Sequence, residues 1–207
     1  MGVASSIHTV LFDADGVLQR PATSLRGALT EMCGDPDHVD AFLNDIFEAE
    51  AACLTGRVAF PPLLAEVLKR WGCQMPVSVA LRALTLIEPD NGILALVARV
   101  RSRGIRVGLA TNQQPHRAHF MLRELGYSQA FDHHFCSCHV GHAKPSVRYF
   151  SEILRHIDTP PHTVLFLDDH KANVIGAREI GIRAEQFDIS LGAMGMSRVL
   201  DAYGVAA

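Results

Sequence analysis

"IHTVLFDADGVL", residues 7–18, sets a short apolar run directly against two acidic side chains, Asp13 and Asp15, two positions apart. The run is rich in β-branched and aromatic residues, which predicts a strand buried on both faces. Such strands belong to parallel sheets covered by helices, and those sheets take their ligands beyond the carboxyl ends of the strands. Gly16 permits a tight turn that places both carboxylates at that edge. A single aspartate at a strand end serves equally well as a helix cap or turn former. The reading therefore depends on what the rest of the chain brings to the same edge.

Four similar runs follow: "IRVGLATN" (105–112), "HHFCSC" (133–138), "TVLFLDD" (163–169) and "GIRAEQF" (181–187). Helical patterns separate them. Residues 90–103 space Ile93, Leu94, Leu96, Val97 and Val100 along one stripe, ended by Gly104. Residues 115–125 open at Pro115 and stop at Gly126, 145–157 open at Pro145, and 171–180 stop at Gly181. Strands alternating with helices of this length predict an α/β fold, a Rossmann-like, doubly wound parallel sheet. Residues 19–88 break the rhythm, with amphipathic patterns at 39–54, 60–72 and 76–87 and no evident strand. The expectation is a small all-helical cap domain (19–88) inserted after strand 1, near Arg20-Pro21 and Ile87-Glu88-Pro89, into a core of 1–18 and 89–207.

Almost half of the 207 residues are apolar, enough for a sizeable core, and a formal charge of −3 gives no reason to expect nucleic acid or an anionic membrane as partner. No apolar run approaches the ~18–20 residues that span a bilayer. "MGVASSIHTV" has neither a basic nor an apolar leader region, and its loose myristoylation match (Gly2, Ser6) is set aside because strand 1 begins almost at once. Five cysteines, an odd number without a disulfide-framework spacing, fit a cytoplasmic chain with reduced thiols. Oligomeric state, monomer or homodimer, stays open.

At the expected carboxyl edge the sequence gathers Asp13 and Asp15, then Thr111 and Asn112, then Lys144 by way of a short loop, then Asp168 and Asp169. In this arrangement the chain resembles the haloacid dehalogenase (HAD) superfamily. Asp13-Ala14-Asp15-Gly16-Val17-Leu18 matches its first motif, Thr111 its second, Lys144-Pro145 its third and Asp168-Asp169 its fourth. "FDADGVLQRP", "CHVGHAKP" and "VLFLDDHKANVIGAREIGI" are most similar to the group containing the phosphatase domain of epoxide hydrolase.

The resemblance implies a Mg²⁺-dependent phosphatase acting on a small phosphorylated metabolite. Asp13 would be the nucleophile and form an aspartyl-phosphate. Asp15 would protonate the leaving oxygen and then activate water. Thr111 and Asn112 would hold phosphoryl oxygens, and Lys144 would neutralise the nucleophile and the transferring group. Asp13, Asp168 and the main-chain carbonyl of Asp15 would hold Mg²⁺, with Asp169 and Asn173 around them. Dehalogenase members lack a carboxylate at the position of Asp15, so its presence favours phosphoryl transfer. A sugar-phosphate mutase and a non-catalytic phosphometabolite-binding protein stand as alternatives. Arg57, in a loop between cap helices, and His116 with Arg117, just after the second motif, are candidate pocket residues. Trp71 reads as a packing anchor. The stretch "DHHFCSCHVGH" (132–142) does not have the paired spacing of a structural zinc site; Cys136 and Cys138 read as alternate residues on one face of a strand.

Overall fold

The computed structural model of the chain describes residues 6–205, so Met1 and Gly2 of the myristoylation match lie outside the described residues. In chain order the first half comprises β1 (Thr9–Phe12), β2 (Gln19–Pro21), α1 (Ser24–Cys33), α2 (Val39–Ala51), α3 (Phe60–Arg70), α4 (Val77–Ala83) and β3 (Ile87–Pro89). The second half comprises α5 (Asn91–Ser102), β4 (Arg106–Thr111), α6 (Pro115–Arg123), α7 (Tyr127–Ala130), β5 (His133–Cys136), α8 (Ser137–Val140), α9 (Val147–Ile157), β6 (Val164–Asp168), α10 (Lys171–Glu179), β7 (Arg183–Gln186) and α11 (Gly192–Ala202).

The five predicted strands form one parallel sheet in the order β5-β4-β1-β6-β7. β1 lies at its centre, with Thr9 aligned to Arg106 on one side and Val164 on the other. That position explains why all four β1 residues are buried, and why the strand reads as a continuous apolar run. The strand pleat then divides the core. Val10, Phe12, Val107, Leu109, Leu165 and Leu167 pack on the face covered by α5, α6 and α11. Leu11, Ala110, Val164 and Phe166 pack on the other, against Tyr149, Phe150 and Ile153 of α9 and Val174 and Ala177 of α10.

Helices α1–α4 build a third apolar cluster around Leu29, Phe42, Ile46, Leu64 and Leu68. Trp71 packs edge-on against Phe42 at 5.5 Å and donates from Nε1 to Asp45 at 2.9 Å, as a packing anchor would. The chain enters and leaves this cluster through an antiparallel pair, β2 with β3, in which Gln19 faces Pro89 and Pro21 faces Ile87. The expectation of no strand in 19–88 is corrected here: three-residue strands containing proline are too short to show a period-2 pattern. The turn between α2 and α3 touches the sheet unit closely. Gly56, at φ +72°, lies where a Cβ would meet the Cys138 carbonyl oxygen at 2.2 Å.

Two further expectations change. The strand expected over 133–138 stops at Cys136, and Ser137–Val140 turns into a short helix closed by Gly141, so Cys136 and Cys138 are not alternate residues of one strand. The helix expected from Pro145 begins at Val147, because the Ser146 hydroxyl accepts the Arg148 N–H as its cap. Among the described residues no helix is long and apolar enough to cross a membrane.

Candidate active site

The Asp13 N–H donates to the Leu167 carbonyl at 2.9 Å, so Asp13 is still held by the sheet where the chain leaves it. The turn that follows is closed by Leu18 N–H and Gln19 N–H, both donating to the Ala14 carbonyl (2.8 and 3.0 Å). Gly16 takes φ +80° there, and a Cβ on it would meet Asp169 Oδ2 at 2.5 Å. The turn after β1 is thereby packed directly on the segment after β6.

Lys144 reaches the same edge. Its Nζ lies 2.8 Å from Asp13 Oδ1 and 2.5 Å from Asp168 Oδ2. All three side chains are buried, Asp168 completely. Asn173 donates from Nδ2 to both Asp168 oxygens (2.9 and 3.0 Å), and the His170 N–H donates to Asp168 Oδ1 at 2.8 Å. Asn112 fixes the other end of the lysine: its Nδ2 donates to the Lys144 carbonyl and its Oδ1 accepts the Lys144 N–H, both at 2.9 Å. Burial, opposed by Lys144 and aided by Asp168, raises the Asp13 carboxyl to about 7. Burial alone would lower the Lys144 ammonium, but Asp13 and Asp168 outweigh it, so the ammonium is held charged.

Asp15 sits in different surroundings, partly open to a cleft. Its Oδ1 accepts from Gln19 Nε2 and Arg117 Nη2, each at 2.9 Å, and its Oδ2 accepts from Gln113 Nε2 at 2.7 Å. Burial works to raise this carboxyl, but Arg117 and the two glutamine amides outweigh it and hold it below the usual carboxylate value. Gln113 also donates to Thr111 Oγ1 at 3.2 Å, and Tyr127 Oη donates to Gln19 Oε1 at 3.0 Å.

The structure brings together Asp13, Asp15, Thr111, Asn112, Lys144, Asp168 and Asn173. Asn112 differs from its expected part, since its amide is engaged with the main chain of Lys144. Asp169 does not reach Lys144 through any hydrogen bond among the described residues; its Oδ1 pairs with His170 Nδ1 at 2.7 Å. Arg57 is exposed and His116 half-buried, and neither lines the cleft beside Asp15, where Arg117 is the arginine in place. Gln19 and Gln113 were not singled out from sequence. Their signal was the polar run "TNQQPHR" directly after a buried strand, and a glutamine at the end of a tight turn. Among the described residues the one triple of His, Cys, Asp or Glu ligand atoms within 4.8 Å is Asp168, Asp169 and His170; residues 132–142 hold none.

The site's charge and donor set fit a hard divalent cation. Four carboxylates, Asp13, Asp15, Asp168 and Asp169, outnumber the two basic side chains among them, Lys144 and Arg117, and the Asp168 charge contributes to raising the Asp13 carboxyl. The available donors near Asp13 and Asp168 are oxygens, the preference of Mg²⁺.

A cleft of about 380 Å³ opens at this edge, lined by Asp15, Asn112, Gln113 and Arg117 and, from α2 and its surroundings, by Leu43, Phe47, Glu50 and Leu54. A larger hollow of about 710 Å³ between α2 and α3, lined by Asp45, Glu66, Lys69 and Arg70, contains none of the strand-edge groups.

A family model for haloacid dehalogenase-like hydrolases matches residues 7–181. The chain is 32% identical over 97 residues to the sesquiterpene phosphatase astK of Aspergillus oryzae, covering 46% of this chain and 49% of that one. It is 25% identical over 189 residues to the N-acetylmuramic acid 6-phosphate phosphatase of Pseudomonas aeruginosa, covering 86% and 80%. Against the bifunctional epoxide hydrolase 2 of Sus scrofa it is 25% identical over 203 residues, covering 86% and 36%. The chain thus spans about half the length of the first of these relatives and about a third of the last. Its fold is similar to that of a HAD family enzyme from Bacteroides thetaiotaomicron solved with magnesium and inorganic phosphate, with TM-score 0.73 and 18% identity over 87% of this chain and 94% of that one.

Proposed function

The chain belongs to the haloacid dehalogenase-like hydrolases, and we propose that within this family it is a Mg²⁺-dependent phosphatase of a small phosphomonoester. The observation that carries the reading is Lys144 bound at once to Asp13 and Asp168, with Asp15 beside them at the mouth of a cleft. The phosphatases among its relatives, and a related fold solved with magnesium and phosphate, support it.

In this reading an oxygen of Asp13 attacks phosphorus, the bond from phosphorus to the ester oxygen breaks, and an aspartyl-phosphate forms. The departing oxygen takes a proton from Asp15. Asp15, now ionised, removes a proton from water, which attacks phosphorus and releases Asp13 as its carboxylate. Arg117, Gln19 and Gln113 stabilise that ionised form, which suits Asp15 as the base of the second half, and the first half requires Asp15 protonated against their hold. Lys144 keeps its charge and offsets the charge of the phosphoryl oxygens. Mg²⁺, held by Asp13, Asp168 and the main-chain carbonyl of Asp15, would supply further charge neutralisation and orient the phosphoryl group. Residues 19–88 form the cap over the core of 1–18 and 89–207. Release of phosphate from para-nitrophenyl phosphate with Mg²⁺, lost in Asp13→Asn while that variant keeps its fold, is the expected result. A folded Asp13→Asn variant that retains wild-type turnover would sink the assignment.

A further inference from the structure

Helix α2 carries two apolar stripes where one suffices for packing. Val39, Phe42 and Ile46, with Cys53 just beyond, point into the cluster shared with α1, α3 and α4. Leu43, Phe47 and Ala51, with Leu54 in the turn just beyond the helix, line the cleft that contains Asp15 and Arg117. Phe47 is 47% exposed, and neither it nor Leu54 belongs to any apolar cluster of the fold. Leu25, Leu86 and Ile87 extend the same wall. Leu43, Leu25 and Leu86 also pack against the helical unit's own cluster, so its stability accounts for part of the wall but not for Phe47 and Leu54, whose place facing the strand edge does account for them.

The polar groups of the cleft gather at the opposite end. Asp15, Asn112, Gln113, Arg117 and His170 all follow sheet strands, and the helical side contributes Glu50 alone, which feels the charges of Arg117 and Asp15. A leaving group rich in hydroxyls would give up its hydrogen bonds to water along Leu43, Phe47 and Leu54 and find Glu50 as the single polar partner on that side. The volume sets the length. A dry cavity of ~150 Å³ holds one benzene ring, so 380 Å³ shared with a phosphoryl group leaves room for roughly ten carbons.

We infer that the substrate is the phosphomonoester of a hydrocarbon chain of roughly ten carbons, its phosphoryl end at Asp13 and Lys144 and its chain along Leu43, Phe47 and Leu54. For the reacting end this rests on the phosphatase reading; for the chain it rests on the wall of α2. The test separates the two. Binding of n-butyl-, n-hexyl-, n-octyl- and n-decylphosphonate to the full chain with Mg²⁺, measured by calorimetry below their micelle concentrations, reads the wall without turnover. Affinity should rise about two- to fourfold per added methylene, the range for partly to fully buried CH₂ groups, and level off near ten carbons. The matching alkyl phosphates should show the same trend in kcat/KM. In Phe47→Ser and Leu54→Ser the decyl-to-butyl affinity ratio should fall at least tenfold, with Phe47→Leu restoring most of it. Affinity independent of chain length, or a sugar phosphonate binding more tightly than the decyl compound, overturns the inference even if every phosphate is hydrolysed. Length-dependent binding without hydrolysis upholds it and instead removes the phosphatase reading. If a serine variant fails to fold, the wild-type series decides alone.

Discussion

Replacing Lys144 by alanine would leave Asp13 and Asp168 facing each other in a buried site without a counter-charge. Removing one partner of a buried ion pair costs about 3–5 kcal/mol, so Lys144→Ala should lower unfolding stability by that order and abolish turnover; urea unfolding of metal-free protein checks it. Asp13→Asn should be far milder, because Lys144 keeps Asp168. Asn112→Ala removes both hydrogen bonds to the Lys144 main chain and should cost about 1–3 kcal/mol, with kcat falling more than KM rises. Asp13 also sets a pH dependence. Its folded value of about 7 lies above the ordinary 3.8, so the folded state binds the extra proton between them. Stability from this group is complete below pH 3.8 and is lost as the pH rises toward and through 7. Metal-free wild type should therefore lose more stability between pH 5 and 7.5 than Asp13→Asn does; equal slopes in urea titrations would refute the burial argument. None of these surroundings could be read from residue types. Asp13 and Asp15 are two residues apart in sequence, and the groups that push them in opposite directions, Lys144 and Arg117, are supplied by distant segments.

Among the elements, the central strands β1, β4 and β6 were legible because they are almost wholly buried and read as apolar runs, whereas the part-buried edge strands, HHFC in β5 and RAEQ in β7, were legible from the alternation of strands with helices. The elements that escaped notice have weaker patterns for identifiable reasons. α1 buries only Leu29 and Met32 and contains Gly27, and α11 contains Gly192 and Gly195. β2 and β3 are three residues each and form a sheet of two strands apart from the main one. α8 interrupts what looks like a continuing strand, because Gly141 closes a helical turn and the Ser137 hydroxyl accepts the Gln113 N–H at 3.0 Å. That turn meets the helical unit at Gly56, whose positive φ and closeness to the Cys138 carbonyl leave no room for a side chain. Gly56→Ala should displace the α2–α3 turn from α8, destabilising the protein by about 1 kcal/mol or more. It should also raise KM through a looser cleft, while kcat changes less. Thermal unfolding and steady-state kinetics on one preparation test both parts.

At the scale of the whole molecule, carboxylates outnumber lysine and arginine at the sheet edge, and a bound divalent ion would relieve their repulsion only in the folded state. Mg²⁺ at about a hundred times its dissociation constant should add ~2.7 kcal/mol and raise the unfolding midpoint by roughly 5–10 °C, with EDTA reversing it. A midpoint indifferent to Mg²⁺ would count against the ion's place between Asp13 and Asp168. The sequence alone determined the class of fold and the four segments that meet at the edge of the sheet. Burial on both faces and the alternation of strands with helices leave a direct mark on residue order, and a parallel sheet brings its strand ends together whatever the details. Only the tertiary structure decided which arginine enters the cleft, Arg117 rather than Arg57, and that Asn112 clamps Lys144. It also decided that a second apolar stripe of α2 faces the chemistry. Those are relations between side chains brought together from separate segments of the chain, set by how the helical unit and the sheet pack, and no periodicity along the chain encodes them.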